Sequence, residues 1–250
     1  TTDGRFKPEI QAPGTHVTGI AFVTALSDPT TPPNNLGATY VGYRADGVCG
    51  GAGNDFFPSA QPWYTASSGT SHSAPAVAGG AALVHQMFIN NPAYVATHRV
   101  PIGAAPPSPA LVKAYLASSA RYMTGVGAND TLPSNSQGMG MMNLGTAFDG
   151  TSRVVRDQAP ADVFANTGEV RTYTMTVTDA TRPLRVSLAW TDAPGATTGN
   201  AFVNNLDLEV NVGGNTYRGN VFSGSASITG GSADVRNNLE SVFLPAGFPV

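Results

Sequence analysis

The spacing of apolar residues divides the chain into a part with helical periodicity and a part with strand periodicity. Within residues 73–90, apolar side chains recur every three or four positions, which predicts a helix with one buried face. That face consists of Val77, Ala81, Val84 and Phe88. A second helix is predicted over residues 108–116, with Ser108 as its N-cap and Pro109 at its first position. The apolar run at residues 17–23 predicts a strand.

The first predicted helix contains two kinds of residue that usually disfavour a helix, proline and glycine. Pro75 fits an initial helical turn, where the missing N–H of proline carries no penalty. Gly79 and Gly80 lie inside the pattern, although glycine costs a helix about 1 kcal/mol relative to alanine. We therefore expect another backbone to pack closely against them.

After about residue 151 the apolar period becomes two. Alternating apolar residues at 172–177, 184–190 and 206–210 predict strands. Gly213-Gly214-Asn215, after the last of these segments, is a turn candidate between two strand-like runs. Short strands separated by turn signals are typical of a β-sandwich. The change of period near Gly150 predicts two domains, residues 1–150 and 151–250.

Composition narrows the class of protein. The chain has 250 residues, a net charge of −3 and only 13 basic residues, which argues against a nucleic-acid partner. No apolar run reaches the ~18 residues of a membrane helix, so no membrane partner is expected. Charged residues make up 12% of the chain, and this low fraction suggests a secreted, extracellular protein. The single cysteine, Cys49, has no second cysteine with which to form an internal disulfide.

The strongest candidate for chemistry is Ser71, which stands just before the predicted helix and two residues after Gly69. A helix N-terminus presents unpaired N–H groups, and these stabilise the oxyanion that forms when a serine attacks a carbonyl. Ser71 is therefore a candidate nucleophile, the alternative being a serine that only caps the helix. Residue 73 is not glycine, so the segment does not fit the G-x-S-x-G turn of α/β-hydrolases.

Two segments around this serine resemble the subtilisin-like serine proteases. Residues 69–79 read GTSHSAPAVAG and resemble the serine block of that family, whereas residues 7–14 read KPEIQAPG and resemble its KPDIVAPG segment. Three later segments resemble the β-sandwich that follows the catalytic domain in the oxidatively stable alkaline proteases. They read LAWTDAPG (188–195), VNNLDL (203–208) and RNNLESVF (236–243).

The resemblance implies a fold and an activity. It implies the C-terminal half of an α/β domain with a doubly wound parallel sheet, followed by a jelly-roll-like sandwich that is cut short at its C-terminus. It also implies a serine endopeptidase that acts on protein or peptide substrates by a Ser-His-Asp mechanism, with Ser71 as nucleophile. In the family the aspartate, the histidine and the oxyanion asparagine precede the serine. No D-[ST]-G or H-G-T string occurs before Ser71. We therefore expect the missing N-terminal half of the catalytic domain to be a partner, and this chain alone to be inactive.

The four histidines do not replace the missing base. His72 adjoins Ser71 in sequence, where neighbouring helical side chains diverge, and His85 is fourteen residues further along. His16 and His98 have no neighbouring aspartate motif. A different function therefore stays open, namely a non-catalytic β-sandwich that binds or stabilises and carries a degenerate protease remnant. The sequence upstream of Thr1 would discriminate between the two functions.

The resemblance further implies structural calcium, since related proteases bind it. Calcium takes six to eight oxygen ligands, and the strand-rich half offers several carboxylates in turn segments. The candidate ligands are Asp192, Asp207, Asp234 and Glu240. No compact D-x-D-x-D-G loop occurs, so ordinary turn chemistry of Asp and Asn is the alternative.

Overall fold

The computed structural model describes residues 2–20, 64–90 and 106–248. Most of the predicted loop at residues 26–66, together with Cys49 and His98, lies outside the described residues. The chain forms two compact units. One is Ala12–Ala78, and the other consists of Thr1–Gln11 and Gly79–Val250.

The smaller unit contains a strand pair and the start of a helix. Strand β1 (Val17–Ile20) pairs antiparallel with β2 (Tyr64–Ser67), in a register that sets Val17 opposite Ser67. The predicted strand is thus confirmed over its first four residues, and residues 21–23 lie outside the described part of the chain. Three residues after β2 the first helix, α1, begins and runs over Thr70–Asn90.

Helix α1 starts three residues earlier than the spacing of apolar residues predicts. Pro75 is consequently its sixth residue, one turn deeper than expected. Of the predicted face, Val84 and Phe88 are buried in a core with Tyr115 and Leu116. The ring of Tyr115 meets that of Phe88 edge-on, with 5.6 Å between the centroids.

The glycine pair in α1 has a different explanation from the one expected. No atom of the described residues lies within 4 Å of a Cβ on Gly79, whereas a Cβ on Gly80 would collide with the Met142 sulfur and lie 3.3 Å from Leu144 Cδ2. The close neighbours are therefore side chains and not another backbone.

The second and third helices carry the caps that their sequences encode. Helix α2 spans Pro109–Ser119, and Ser108 Oγ accepts the Leu111 N–H at 3.0 Å, as predicted for an N-cap. Asp157 in turn binds both the N–H and the hydroxyl of Ser108, at 2.7 and 2.6 Å. Helix α3 is a single turn, Leu144–Ala147, capped by Asn143.

The remaining strands form two small antiparallel sheets. Strand β3 (Leu184–Ala189) pairs with β7 (Leu239–Leu244), and β5 (Asn215–Ser223) lies between β4 (Glu209–Val212) and β6 (Ala226–Thr229). The predicted strand at residues 184–190 is confirmed as β3, and the predicted turn at Gly213-Gly214 is confirmed between β4 and β5. Gly213 and Gly214 have φ values of 57° and 78°, as a two-residue hairpin turn requires.

The predicted strand at residues 172–177 is wrong. This segment is described and has no strand, and Tyr173 and Met175 stay 42% and 55% exposed. No described strand pairs with its backbone. The tyrosine is held by polar contacts instead, because its hydroxyl donates to Asp162 Oδ1 at 2.6 Å and its ring lies 4.3 Å below the Arg156 guanidinium.

Helices and strands are both present, so the α/β content is confirmed. The larger architectures implied by the resemblance are not seen among the described residues, where the sheets are two strand pairs and one set of three. Parallel pairing there consists of one bridge between Gln11 and Met141. The domain boundary near Gly150 stays a prediction, and one core includes Ala117 and Leu132 before it as well as Phe222 and Phe243 after it.

Strand β7 is buried at all six positions. The edge of β7 that faces away from β3 is hydrogen-bonded by side chains. Asn220 accepts the Ser241 N–H at 3.1 Å and donates to the Leu239 carbonyl at 2.9 Å, and Ser227 Oγ accepts the Phe243 N–H at 2.9 Å. Asn220 lies at a bulge of β5 with φ of 61°, a left-handed conformation that asparagine tolerates better than most residues.

Arg185 connects β3 to the C-terminal end of α2. Its Nη1 donates to the carbonyls of Ser118 and Ala120, at 3.0 and 2.6 Å, and its guanidinium lies 4.5 Å from the centre of the Phe243 ring. Burial lowers the pKa of Arg185. The positive group is therefore placed where a helix end exposes unpaired carbonyls and partial negative charge.

Replacing Arg185 with methionine should destabilise the larger unit. Two carbonyls at the end of α2 lose a charged donor, for which we expect a loss of about 2–3 kcal/mol in the free energy of unfolding. Urea denaturation of both proteins measures the difference. The control is Arg218→Met, which removes an exposed ion pair with Glu209 and should cost less than about 1 kcal/mol. Equal losses in the two variants would contradict the capping role of Arg185.

Candidate active site

Ser71 is the second residue of α1 and is exposed. The turn before it is built on Gly69, whose φ of 153° is a conformation that side-chain-bearing residues rarely adopt. The Gly69 N–H donates to the Gly14 carbonyl at 2.8 Å, and its own carbonyl accepts the His72 N–H at 3.0 Å. The serine is thus held at the beginning of a helix by a turn that is fixed on both sides.

The parts of the two motif segments that belong to the smaller unit, residues 12–14 and 69–78, lie in contact. Besides the bond between Gly14 and Gly69, a Cβ on Gly14 would collide with Ser73 Oγ and lie 2.7 Å from the Gly69 carbonyl oxygen. The His16 N–H donates to Ser68 Oγ at 2.9 Å. Residues 14–16 therefore form one wall of the serine turn, and the wall has room only for glycine at position 14.

The start of α1 provides the electrostatics that an oxyanion needs. The first N–H groups of a helix have no partner within it and carry partial positive charge. Pro75 stands four residues after Ser71 and has no N–H, so the Ser71 carbonyl lacks its usual helical donor. An open carbonyl is an acceptor and does not stabilise an oxyanion, so that role falls to the first-turn N–H groups other than that of His72, which is bonded to Gly69.

Within the described ranges, no histidine or carboxylate is hydrogen-bonded to Ser71. Its hydroxyl has no side-chain hydrogen bond to residues 2–20, 64–90 or 106–248. His85 lies about four turns further along α1. Without a base, a serine hydroxyl stays neutral and is a weak nucleophile. The described residues thus provide a positioned serine and a helix N-terminus, but no partner for proton transfer.

The four predicted calcium ligands are not assembled into one site. Among the described residues, no three of His, Cys, Asp and Glu come together as a metal site would require. Asp192 accepts the N–H groups of Ala193, Val203 and Asn204, at 2.9, 2.7 and 3.0 Å. Asp234 accepts the side-chain amides of Asn220 and Asn237, each at 2.7 Å. Oxygens that already accept N–H groups do not offer the open coordination that calcium needs, so calcium stays a prediction without assigned ligands.

Glu240 occupies a different environment from the other three. It is 1% exposed, its Oε2 accepts the Leu208 N–H at 2.7 Å, and its Oε1 has no hydrogen-bond partner among the described residues. The β5 backbone covers it, since a Cβ on Gly219 would lie 2.7 Å from the Glu240 Cβ. Burial, together with the charges of Asp234 and Asp207, raises the pKa of Glu240 to about 8. The side chain is therefore a neutral acid in the core at pH 7.

The family model of the subtilase family matches residues 1–140, more than half of the chain and the whole range that contains both motif segments. The chain therefore belongs to the subtilase family, whose members are serine peptidases. A search of curated proteins found no match. No helix within the described ranges is long and apolar enough to span a membrane.

Sequence reasoning found the serine turn but missed part of what holds it. The role of Gly14 follows from a contact with a residue 59 positions away, and its only sequence signal is that the family's KPDIVAPG segment also ends in glycine. The burial of Glu240 had a local signal, because the residue stands among Leu239, Val242 and Phe243 in a strand.

Gly14→Ala should disrupt the serine turn. The new methyl group would meet the Gly69 carbonyl, which is part of the backbone, so the turn has to shift at a cost of about 1–3 kcal/mol. Hydrogen exchange of residues 64–73 should become faster. Gly19→Ala is the matched control, because no atom lies within 4 Å of that position. Unchanged protection of the turn in Gly14→Ala would refute the proposed packing.

Glu240 should make stability depend on pH. Its pKa is about 8 in the folded state against an ordinary value of 4.5, so between these values the folded protein binds a proton that the unfolded chain has released. The free energy of unfolding should then fall as pH rises from 5 to 8, by at most ~1.4 kcal/mol per pH unit.

Urea denaturation in the presence of a calcium chelator measures this slope. Glu240→Gln should flatten it, because glutamine keeps the acceptor for Leu208 and does not titrate. The exposed Glu209→Gln should leave it unchanged. A wild-type stability that is constant or rises over the same range would show that Glu240 is ionised in the folded protein.

Proposed function

We propose that this chain carries the nucleophile of a subtilisin-like serine endopeptidase, with Ser71 as the attacking residue. The contact between the two motif segments supports this proposal most directly. The segment at residues 12–16 fixes the turn at residues 68–69, and that turn places an exposed hydroxyl at the N-terminus of α1. A serine that served only as a helix cap would need no such wall.

The proposed reaction follows the geometry of the turn. Ser71 Oγ attacks the carbonyl carbon of a peptide bond while its proton passes to a histidine base. The bond to the nitrogen then breaks, and the amine leaves with that proton. The N–H groups at the start of α1 stabilise the oxyanion in between. Water attacks the resulting ester in the second half and restores the free serine.

We further propose that the histidine, its aspartate and the oxyanion asparagine come from a segment outside these 250 residues. In support, no histidine or carboxylate of the described residues is hydrogen-bonded to the Ser71 hydroxyl. The doubly wound sheet, the jelly-roll-like sandwich, secretion and the relation to the oxidatively stable alkaline proteases belong to the same proposal and rest on the resemblance of the motifs.

A non-catalytic role is the second candidate. The absence of a base near Ser71 in the described ranges also fits a degenerate homologue in which the serine turn survives as scaffold. Such a protein would keep the Gly14 wall but have no partner that completes the site.

The test is labelling by a fluorophosphonate, which reacts with activated serines. The 250-residue chain should label no faster than its Ser71→Ala variant. A chain extended by the coding sequence upstream of Thr1 should label rapidly at Ser71, as located by peptide mass spectrometry, and hydrolyse a denatured protein substrate. Ser71→Ala should abolish both, whereas Ser67→Ala, an exposed serine of β2, should abolish neither.

The possible outcomes separate the candidates. Labelling of the extended chain at another residue, or none at all, would reject Ser71 as nucleophile and favour the non-catalytic role. Rapid stoichiometric labelling of the 250-residue chain would instead show that its own residues supply the base.

A further inference from the structure

A cavity of about 400 Å³ lies within the larger unit, between the first turn of α2, the start of the chain and the segment that follows β3. Its size is within the range of ~300–1,000 Å³ that is common for small-ligand sites. The lining includes three cationic side chains, two aromatic side chains and one carboxylate: Arg5, Lys113, Arg236, Trp190, Phe202 and Asp192.

Three of these residues are cations. Arg5 pairs with Asp3 at 2.7 Å, and Lys113 pairs with Glu9 at 3.0 Å. No carboxylate oxygen of the described residues lies within 4.0 Å of the Arg236 guanidinium, whose carbon lies 3.1 Å from the position of a Cβ on Gly4. The exposed Arg236 is thus held against Gly4 and has no ion-pair partner among the described residues.

Two side-chain acceptors of the wall are already in use. Asp192 accepts three backbone N–H groups and the Asn204 amide, and Asn238 Oδ1 accepts from Lys113 Nζ at 3.3 Å. The donors are not. Besides Arg236, the indole N–H of Trp190 is buried and has no acceptor among the described residues. The polar groups of this wall that stay open are therefore donors, and they favour a ligand with acceptor atoms.

The wall also has two half-buried aromatic side chains, Trp190 and Phe202. The Trp190 backbone is fixed by Asn238: the Asn238 main-chain carbonyl accepts the Trp190 main-chain N–H at 3.3 Å, and the Asn238 side-chain amide donates to the Trp190 carbonyl at 3.0 Å. Aromatic faces bury apolar groups, whereas the planar fork of arginine matches a carboxylate. A ligand that satisfies both has a carboxylate, an adjacent acceptor and an apolar side chain.

We propose that this cavity binds the C-terminal residue of a peptide, with the carboxylate at Arg236 and an apolar side chain against Trp190 and Phe202. That residue also has a peptide carbonyl, which is the adjacent acceptor. The inference does not depend on Ser71 being a nucleophile, because no residue of the serine turn lines the cavity.

The test compares two dipeptides by calorimetric titration of the 250-residue chain at low salt. N-acetyl-Ala-Phe with a free carboxylate should bind at least tenfold more tightly than the same dipeptide with a C-terminal amide. This comparison needs no variant and therefore does not depend on any substitution being tolerated. Equal affinities, or no saturable binding of the acid, would overturn the proposal.

Two further arms locate and define the site. Arg236→Gln should reduce the affinity for the acid to that for the amide, and Arg218→Gln, whose arginine pairs with Glu209 outside the cavity, should not. 3-Phenylpropionate offers the carboxylate and ring without a peptide bond and should bind at least tenfold more weakly. Unchanged binding in Arg236→Gln, or equal binding of phenylpropionate, would reject a site for peptide C-termini.

Discussion

The larger unit depends on how the N–H and carbonyl groups of strand β7 find hydrogen-bond partners. All six residues of the strand are buried, so each N–H and carbonyl must find a partner inside the protein. One edge is paired with β3 in the ordinary antiparallel way. On the other edge the side-chain amide of Asn220 bonds the Leu239 carbonyl and the Ser241 N–H. Those are the two groups that one residue of a neighbouring parallel strand would bond. The side chain of Asn220 thus takes the place of one residue of a strand, and Ser227 bonds the same edge at Phe243.

This arrangement also explains where Glu240 comes to lie. The bulge that turns Asn220 towards β7 brings the backbone of Gly219 over the next residue of that strand. The Glu240 carboxyl is then enclosed with one backbone donor, from Leu208, and two acidic neighbours. Its raised pKa is a consequence of the same local packing that closes the edge of β7. The carboxyl is therefore better understood as part of the core than as one of several surface ligands.

The parts of the fold that the sequence predicted are those with local causes. The face of α1, the cap at Ser108 and the turn at Gly213-Gly214 each follow from residues within one or two turns of chain. Strand pairing is not local. The alternation at residues 172–177 is as regular as that at 184–190, but only the second segment has a partner strand, so pattern alone does not separate them. The functional residues divide in the same way, because Ser71 stands in a recognisable motif whereas the cavity residues Arg5, Lys113 and Arg236 come together only in the folded chain.

The wall at Gly14 has a consequence for how the serine turn is acquired during folding. Gly14 and Gly69 are 55 residues apart in sequence, and the turn is held only when their hydrogen bond has formed. Helix α1 has its own local propensity, but the orientation of Ser71 at its first turn is a long-range property that is gained when that loop closes. Closure of a loop this long has an entropic cost that local contacts do not share, and contacts of this kind tend to form late. A nascent chain of this protein would therefore contain the helix before it contains a correctly placed serine hydroxyl.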